Sequence, residues 1–477
     1  MRPRMTRRQL LGGIAAALPL PLLTGPALAD VPRLTAGYRT IEVKGRAARV
    51  FSLTRPGGAP GLDLVAGDRF RAQLVNETDV ETLVHWHGLT PPVEQDGVPM
   101  LSQPPLRPGE SAVYDFANTR TGTHWMHSHV GLQEQQMLAA PLIVRAAEAD
   151  EQEHVVLLHD FTFRDPEEIL AELRGGGGDH AGHGAPAGGS GSDAMDHASM
   201  GHGAAAGAML NDIRFDAFLA NDRTLDDPEI IAVERHGRLR LRIINAAAAS
   251  NMWIDLGELQ GDLVAVDGND IEPLTGSVFP LAVAQRADIR LRMPPQGGAF
   301  PVLFRPEGVG ARTGVILAAP GGAIGKVAEL GDVAPALDLA QERLYRAVAK
   351  LPQEPVTRME MVMLTGGGAD YLWGLNGKSG MHDTVFTVRE GEIIAVMMHN
   401  MTTMAHPMHL HGHHFKVTAI GTSVFDGAMR DTVLVPPGET VTITFHADNP
   451  GTWAFHCHHA YHMNSGMMGA VAYSSAA

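Results

Sequence analysis

The sequence predicts an all-β chain of three β-sandwich domains in tandem, on three observations. Its 477 residues make three domains at the usual ~150 residues each. Glycine (54 residues) and proline (31) are plentiful, aromatic residues make up 5%, and no long helical heptad pattern runs through it, so short strands joined by many turns are expected. One pattern also recurs three times. GDRFRAQLVNET begins at Gly67, GRLRLRIINAAA at Gly237 and GEIIAVMMHNMT at Gly391, each a turn glycine followed by a strand. A second alternating element follows each copy: RPGESAVYDF from Arg107, AVAQRADIRLRM from Ala282 and PPGETVTITF from Pro436.

Ahead of the first copy, residues 1–29 read as an export signal. Arg2, Arg4, Arg7 and Arg8 precede an apolar run from Leu10 to Leu23, and Ala27-Leu28-Ala29 offers a small-residue cleavage site before Asp30. The run is too short to span a bilayer comfortably. Arg7-Arg8 within TRRQLL resembles a bacterial twin-arginine signal, with a general secretory signal as the alternative. Either reading sends the mature protein out of the cytoplasm, to the periplasm, without stable membrane insertion. A formal charge of −16 argues against nucleic acid and anionic membrane surfaces as partners, and suits small cations or neutral donors. The working expectation for oligomeric state is a monomer.

The first domain is expected over residues 30–148, the second over 149–325 and the third over 358–477, with a linker at 326–357. Chemistry concentrates in the outer two. Nine and eleven residues after Asn76 come His85 and His87, and the same offsets after Asn400 give His409 and His411. Five and seven residues after Gly122 come His127 and His129, and the same offsets after Gly451 give His456 and His458. In the middle copy the offsets from Asn245 fall on Ile254 and Leu256, so that domain reads as a spacer. A lone His-Xaa-His is usually a solvated or core pair. Four pairs at matched offsets, two from each outer domain, instead point to a metal cluster between those domains.

The last stretch, GTWAFHCHHAYHMNSGM from Gly451, holds the only cysteine, Cys457, with His462 and Met467 beyond it. One cysteine excludes an intramolecular disulfide, and a free thiol in an exported protein is an oxidation liability unless a metal holds it. On a strand, Cys457 faces one side while His456 and His458 face the other. Thiolate, imidazole and a distant thioether form the ligand set of a blue copper centre, and paired imidazoles suit further copper ions. His124, His399, His413, His414 and His459 read as supporting or surface groups.

HWHG at His85, HSH at His127, HPMHLHG at His406 and HCHHAYHMNSGM at His456 resemble, in order, the four copper signatures of multicopper oxidases, the family of laccases and bacterial copper-resistance oxidases. The resemblance implies three cupredoxin-like Greek-key domains and four copper ions: one type 1, one type 2 and two type 3. It makes His406, Cys457 and His462 the type 1 ligands, with Met467 as weak axial ligand, and gives the type 2 copper to His85 and His409. It assigns His87, His127 and His458 to one type 3 copper and His129, His411 and His456 to the other. The implied reaction couples one-electron oxidation of a small donor to four-electron reduction of dioxygen to water, with Cys457 as the conduit. Asp96 matches an acid that the family places beside the cluster as a proton relay; a turn-forming Asp-Gly pair is the alternative. Some bacterial relatives carry a second acid directly after the second type 1 histidine. Here that position is Met463.

Two stretches fit no repeat. Residues 175–209 are rich in glycine and alanine and carry His180, His183, His197, His202, Met195, Met200 and Met209. MDHASMGH within them resembles the Met/His-rich insertions of copper-resistance oxidases, and such donors suit cuprous ion; an inert flexible loop is the alternative. LDLAQERLYRAVAK, in the linker, has a helix-like pattern. Methionines gather near the type 1 signatures, at Met381, Met397, Met398, Met401, Met404, Met408, Met463 and Met468, some as strand core and others as a cuprous entry. The expected donors are cuprous ion and phenols, in copper tolerance. A laccase acting chiefly on phenols and a manganese oxidase are the alternatives. A copper-storage or electron-transfer protein would need neither the four His-Xaa-His pairs nor Asp96.

Overall fold

The computed structural model describes residues 31–67, 69–117, 120–146, 151–175, 210–349 and 355–474. The expected signal and residues 176–209 of the insertion lie outside these. Six sheets, among the described residues, pair face to face as three sandwiches. In each, one of the recurring strands is central: Arg69–Asn76, Arg238–Asn245 and Ile393–Asn400. Each pairs antiparallel with the second repeat element and parallel with the strand that opens its domain, so three stretches of sequence build one topology.

The asparagine that ends each central strand is fully buried and does the same work three times. Asn76 Nδ2 donates to the carbonyls of Val80 and Leu106, Asn245 to Ser250 and Leu281, and Asn400 to Met404 and Val435. Each side-chain oxygen accepts from the backbone two residues on, at Thr78, Ala247 and Thr402. A buried amide satisfied in this way fixes the corner from which the chain enters the next strand. In the outer domains that strand carries the first histidine of the first His-Xaa-His pair, and the turn after it the second.

Core residues follow the alternation of the strands. Leu74 and Phe70 pack in the first domain, Leu241 and Ile243 in the second, and Ile394, Val396 and Met398 in the third. The linker departs from expectation. Over residues 337–349 the pattern yields only a short 3-10 turn, Glu342–Leu344, among turns and irregular chain. Tertiary contacts override the helical pattern: Glu342 is drawn to Arg430 at 2.6 Å, Tyr345 is buried, and Ala347 bridges Ile271 of the middle domain.

Candidate metal centre

Strand pairing assembles the site. His406–Leu410 lies antiparallel to Thr452–Cys457, with His409 opposite His456 and Met408 opposite Cys457. In the first domain Val84–His85 lies against Gly122–Ser128, with His85 opposite His127. The turn after each first pair needs glycine. Gly88 and Gly412 have φ of +95° and +67°, and a Cβ would stand 2.5 Å from His124 Nδ1 or 2.4 Å from the Trp453 ring.

All eight pair histidines are brought together between the outer domains, each buried. His411 Nε2 lies 3.0 Å from His456 Nε2, and His458 Nε2 lies 3.3 Å from His127 Nε2. Ligand atoms of His129, His411 and His456 fall within 4.8 Å of one another, as do those of His85, His409 and His411. Outward nitrogens are held by the protein. His85 Nδ1 donates to the Asp96 carbonyl at 2.8 Å, His409 Nδ1 to the Asp431 carbonyl at 2.7 Å, His456 Nδ1 to the Cys457 carbonyl at 3.0 Å, and His87 Nε2 to Asp431 Oδ1 at 3.0 Å. These bonds fix each tautomer and leave the opposite nitrogen with a free lone pair.

The donor set fits copper. His85 Nε2, His87 Nδ1, His129 Nε2 and His409 Nε2 are buried without a hydrogen-bond partner, which is costly unless a cation takes the lone pairs. Burial also keeps seven of the eight rings neutral: the His87, His127, His129, His409, His411 and His458 pKa values are pushed well below the ordinary 6.5, and that of His456 to about 4. A neutral imidazole is the ligating form.

On the opposite face of the Cys457 strand is a second site. Cys457 Sγ lies 3.5 Å from His406 Nδ1 and 3.8 Å from His462 Nδ1, and those nitrogens are 3.2 Å apart. Met467 is buried in the same core, its backbone bonded to Cys457 and to His462. Burial pushes the Cys457 thiol up, so the thiolate needs a cation beside it. His406 Nε2 meets the Thr402 hydroxyl at 2.7 Å, and His462 Nε2 meets Asp212 Oδ2 at 3.3 Å.

Asp96 follows a 3-10 turn and also touches the cluster: Oδ2 accepts from His411 Nδ1 at 2.8 Å and Oδ1 lies 3.2 Å from His85 Nδ1. It reaches one imidazole from each outer domain. The sequence reading missed three further acids. Glu134 Oε2 is 3.0 Å from His127 Nδ1 and its other oxygen 3.6 Å from His458 Nδ1. Asp431 holds His87 and His409, as above. Asp212, just past the insertion, bonds Tyr371 and His462 and lies 3.3 Å from His459 Nε2. Burial opposes its ionisation, yet His459 and His462 hold its carboxyl well below the usual range. His459 stacks on His462 at 3.7 Å, while His413 and His414 bond Tyr473 and the Gly88 carbonyl.

Profiles described as multicopper oxidase match residues 36–149, 152–317 and 353–477, which together take in most of the chain. The chain belongs to the multicopper oxidase family. It is 29% identical over 429 residues to the multicopper oxidase MmcO of Mycobacterium tuberculosis, covering 88% of this chain and 82% of that protein. It is 24% identical to copper resistance protein A of Escherichia coli, over 91% of each. Among solved structures, a multi-copper oxidase from Pseudomonas thermotolerans superposes with a TM-score of 0.70 at 23% identity, over 93% of this chain and 98% of that one. The protein is thus a copper-dependent oxidoreductase of three cupredoxin domains. In this multicopper oxidase the middle domain supplies none of the His-Xaa-His pairs: Ile254 and Leu256 are buried core.

Proposed function

We propose that this multicopper oxidase oxidises cuprous ion and phenolic donors one electron at a time and reduces dioxygen to water, serving copper tolerance after export to the periplasm. One observation carries the reading: Cys457 faces His406 and His462 while its chain neighbours His456 and His458 face the eight-histidine cluster. Four copper ions are proposed, with the ligands assigned from the sequence. His406, Cys457 and His462, with Met467 as a fourth donor, would hold the type 1 ion. His85 and His409 would hold type 2, and the remaining six cluster imidazoles would hold the type 3 pair.

Bound copper supplies the one-electron redox steps and the activation of dioxygen. The chain supplies the rest. Cys457 is a covalent link of one residue between the two sites. Asp96 passes protons inward in this reading, which its hydrogen bond with His411 supports. Domain limits at 30–148, 149–325 and 358–477 belong to the same proposal. The test is oxygen uptake by the copper-loaded enzyme with cuprous ion, a diphenol and manganous ion offered in turn. Cuprous ion and the diphenol are expected to support uptake; uptake with manganous ion alone would replace this reading.

A further inference from the structure

Outside the two copper sites, the third domain carries a soft-donor patch on the outer face of a sheet. Strands Arg358–Gly367 and Ile393–Asn400 run parallel, with Met361 opposite Met397 and Met363 opposite His399. Alternation sends the buried Val362, Leu364, Val396 and Met398 inward, so Met359, Met361, Met363, Met397 and His399 share the outward face. Met401 extends the row, its N–H bonded to the Leu364 carbonyl. Met359, Met361 and Met401 are 60%, 59% and 63% exposed.

Packing does not explain these side chains, because the core lies on the other face. The neighbouring strand of the same sheet carries threonines in place of thioethers: the partly exposed Thr440 and Thr444 stand opposite His399 and Ala395, and the buried Thr442 opposite Met397. Threonine is a usual strand-surface residue. The thioethers stop where that strand begins.

We infer that this ladder is a binding site for a soft monovalent cation, cuprous ion in the enzyme's own chemistry, separate from the type 1 site and the cluster. Facing residues on adjacent strands stand about 5 Å apart and alternate residues along a strand about 7 Å. Flexible thioethers spaced so can converge two or three sulfurs on one ion. Thioether and imidazole donors select cuprous ion over hard cations. The ladder also ends beside the type 1 site. Met401 precedes Thr402, whose hydroxyl bonds Nε2 of His406. Cuprous ion as the natural occupant rests on the proposed function; binding of a soft monovalent cation does not.

Silver ion, a soft monovalent cation that the enzyme does not oxidise, is the probe. Full-length, copper-loaded enzyme carrying 13C-methyl methionine is titrated with silver, and the Met361 and Met397 methyl signals are assigned by their loss in Met361→Leu and Met397→Leu. Both signals are expected to shift saturably. In the double variant the Met359 and Met363 signals should need at least tenfold more silver to shift. Leucine at these outward positions leaves the fold, the blue band and diphenol turnover intact. Signals that stay unmoved while silver binds elsewhere, or a double variant whose remaining ladder signals titrate as in the parent, would overturn the inference.

Discussion

Arg286 of the middle domain makes a two-pronged ion pair with Asp431 of the third domain, Nη1 to Oδ1 at 2.8 Å and Nη2 to Oδ2 at 2.5 Å. Both are buried, and Arg286 also donates to the carbonyls of Thr123 and Ala284. Burial opposes ionisation of Asp431, but Arg286 holds its carboxyl well below the usual range. The middle domain therefore reaches the cluster through Asp431, which carries His87 and His409. Arg286→Met leaves Asp431 buried without its cationic partner, at a cost of about 3–5 kcal/mol. Denaturant unfolding should show that loss, and copper analysis a lower retention at the cluster. Arg286→Lys should recover only part, since an ammonium cannot span both oxygens. An Arg286→Met protein as stable as the parent would return the middle domain to a spacer.

Cys457→Ser removes the thiolate while leaving the imidazoles. The variant should lose the blue band and turnover yet keep about three coppers, because the cluster donors are unchanged. Metal analysis with an absorption spectrum checks both. A blue, active Cys457→Ser enzyme would contradict the site assignment.

Asp96→Asn keeps the side chain's shape and its contact with His411 but removes the titrating group. Turnover should drop about a hundredfold while the blue band stays, a size usual for general acid catalysis. Steady-state oxygen uptake decides it, and an unchanged rate would leave Asp96 as a turn residue.

Deleting residues 175–209 should change substrate supply and leave folding intact. Both anchors of the segment meet the type 1 side: Arg174 donates to the Asn464 carbonyl at 2.6 Å, and Asp212 meets His462. The Michaelis constant for cuprous ion should rise while phenol turnover stays level or increases. Equal losses with both donors would instead assign the segment a structural role.

Glu307 gives a pH prediction. Burial raises its pKa from 4.5 to about 7, although it accepts from the Leu337 N–H at 2.7 Å and Asn251 Nδ2 at 2.8 Å, tying the linker to the middle domain. A folded-state pKa above the unfolded value means stability fully present below about 4.5 and lost as pH rises through about 7. Glu307→Gln removes that loss. Denaturation of parent and variant from pH 4 to 8 should show the parent losing up to about 3 kcal/mol relative to the variant. A difference that does not change with pH would mean that Glu307 titrates normally.

The histidines and the cysteine that the structure gathers were legible because their signal is local. Each His-Xaa-His pair sits within three residues, the offsets repeat, and strand alternation alone separates Cys457 from its neighbours. Asp431, Glu134, Asp212 and Arg286 carry no such signal, since each acts on a partner from a distant part of the chain. Asp96 was accessible only through resemblance. The linker misled because a helical pattern over a few residues yields to Glu342–Arg430 and the burial of Tyr345. Among the methionines expected near the type 1 site, Met398, Met404 and Met408 are core, while Met397 and Met401 lie on the outer face. Register separated them, and register is not visible in one strand alone.

The even division of the cluster between the outer domains also fixes an order of events during biosynthesis. His85, His87, His127 and His129 emerge from the ribosome long before His456 and His458, with the whole middle domain made in between. Until the final strands close, half of the imidazoles have no counterparts, so the complete cluster exists only once the third domain has folded. Its histidines are by then enclosed, most of them at 2% exposure or less. Metal that reaches the finished cluster has to pass a closed wall, and the delivery path becomes as much a property of this fold as the site it fills.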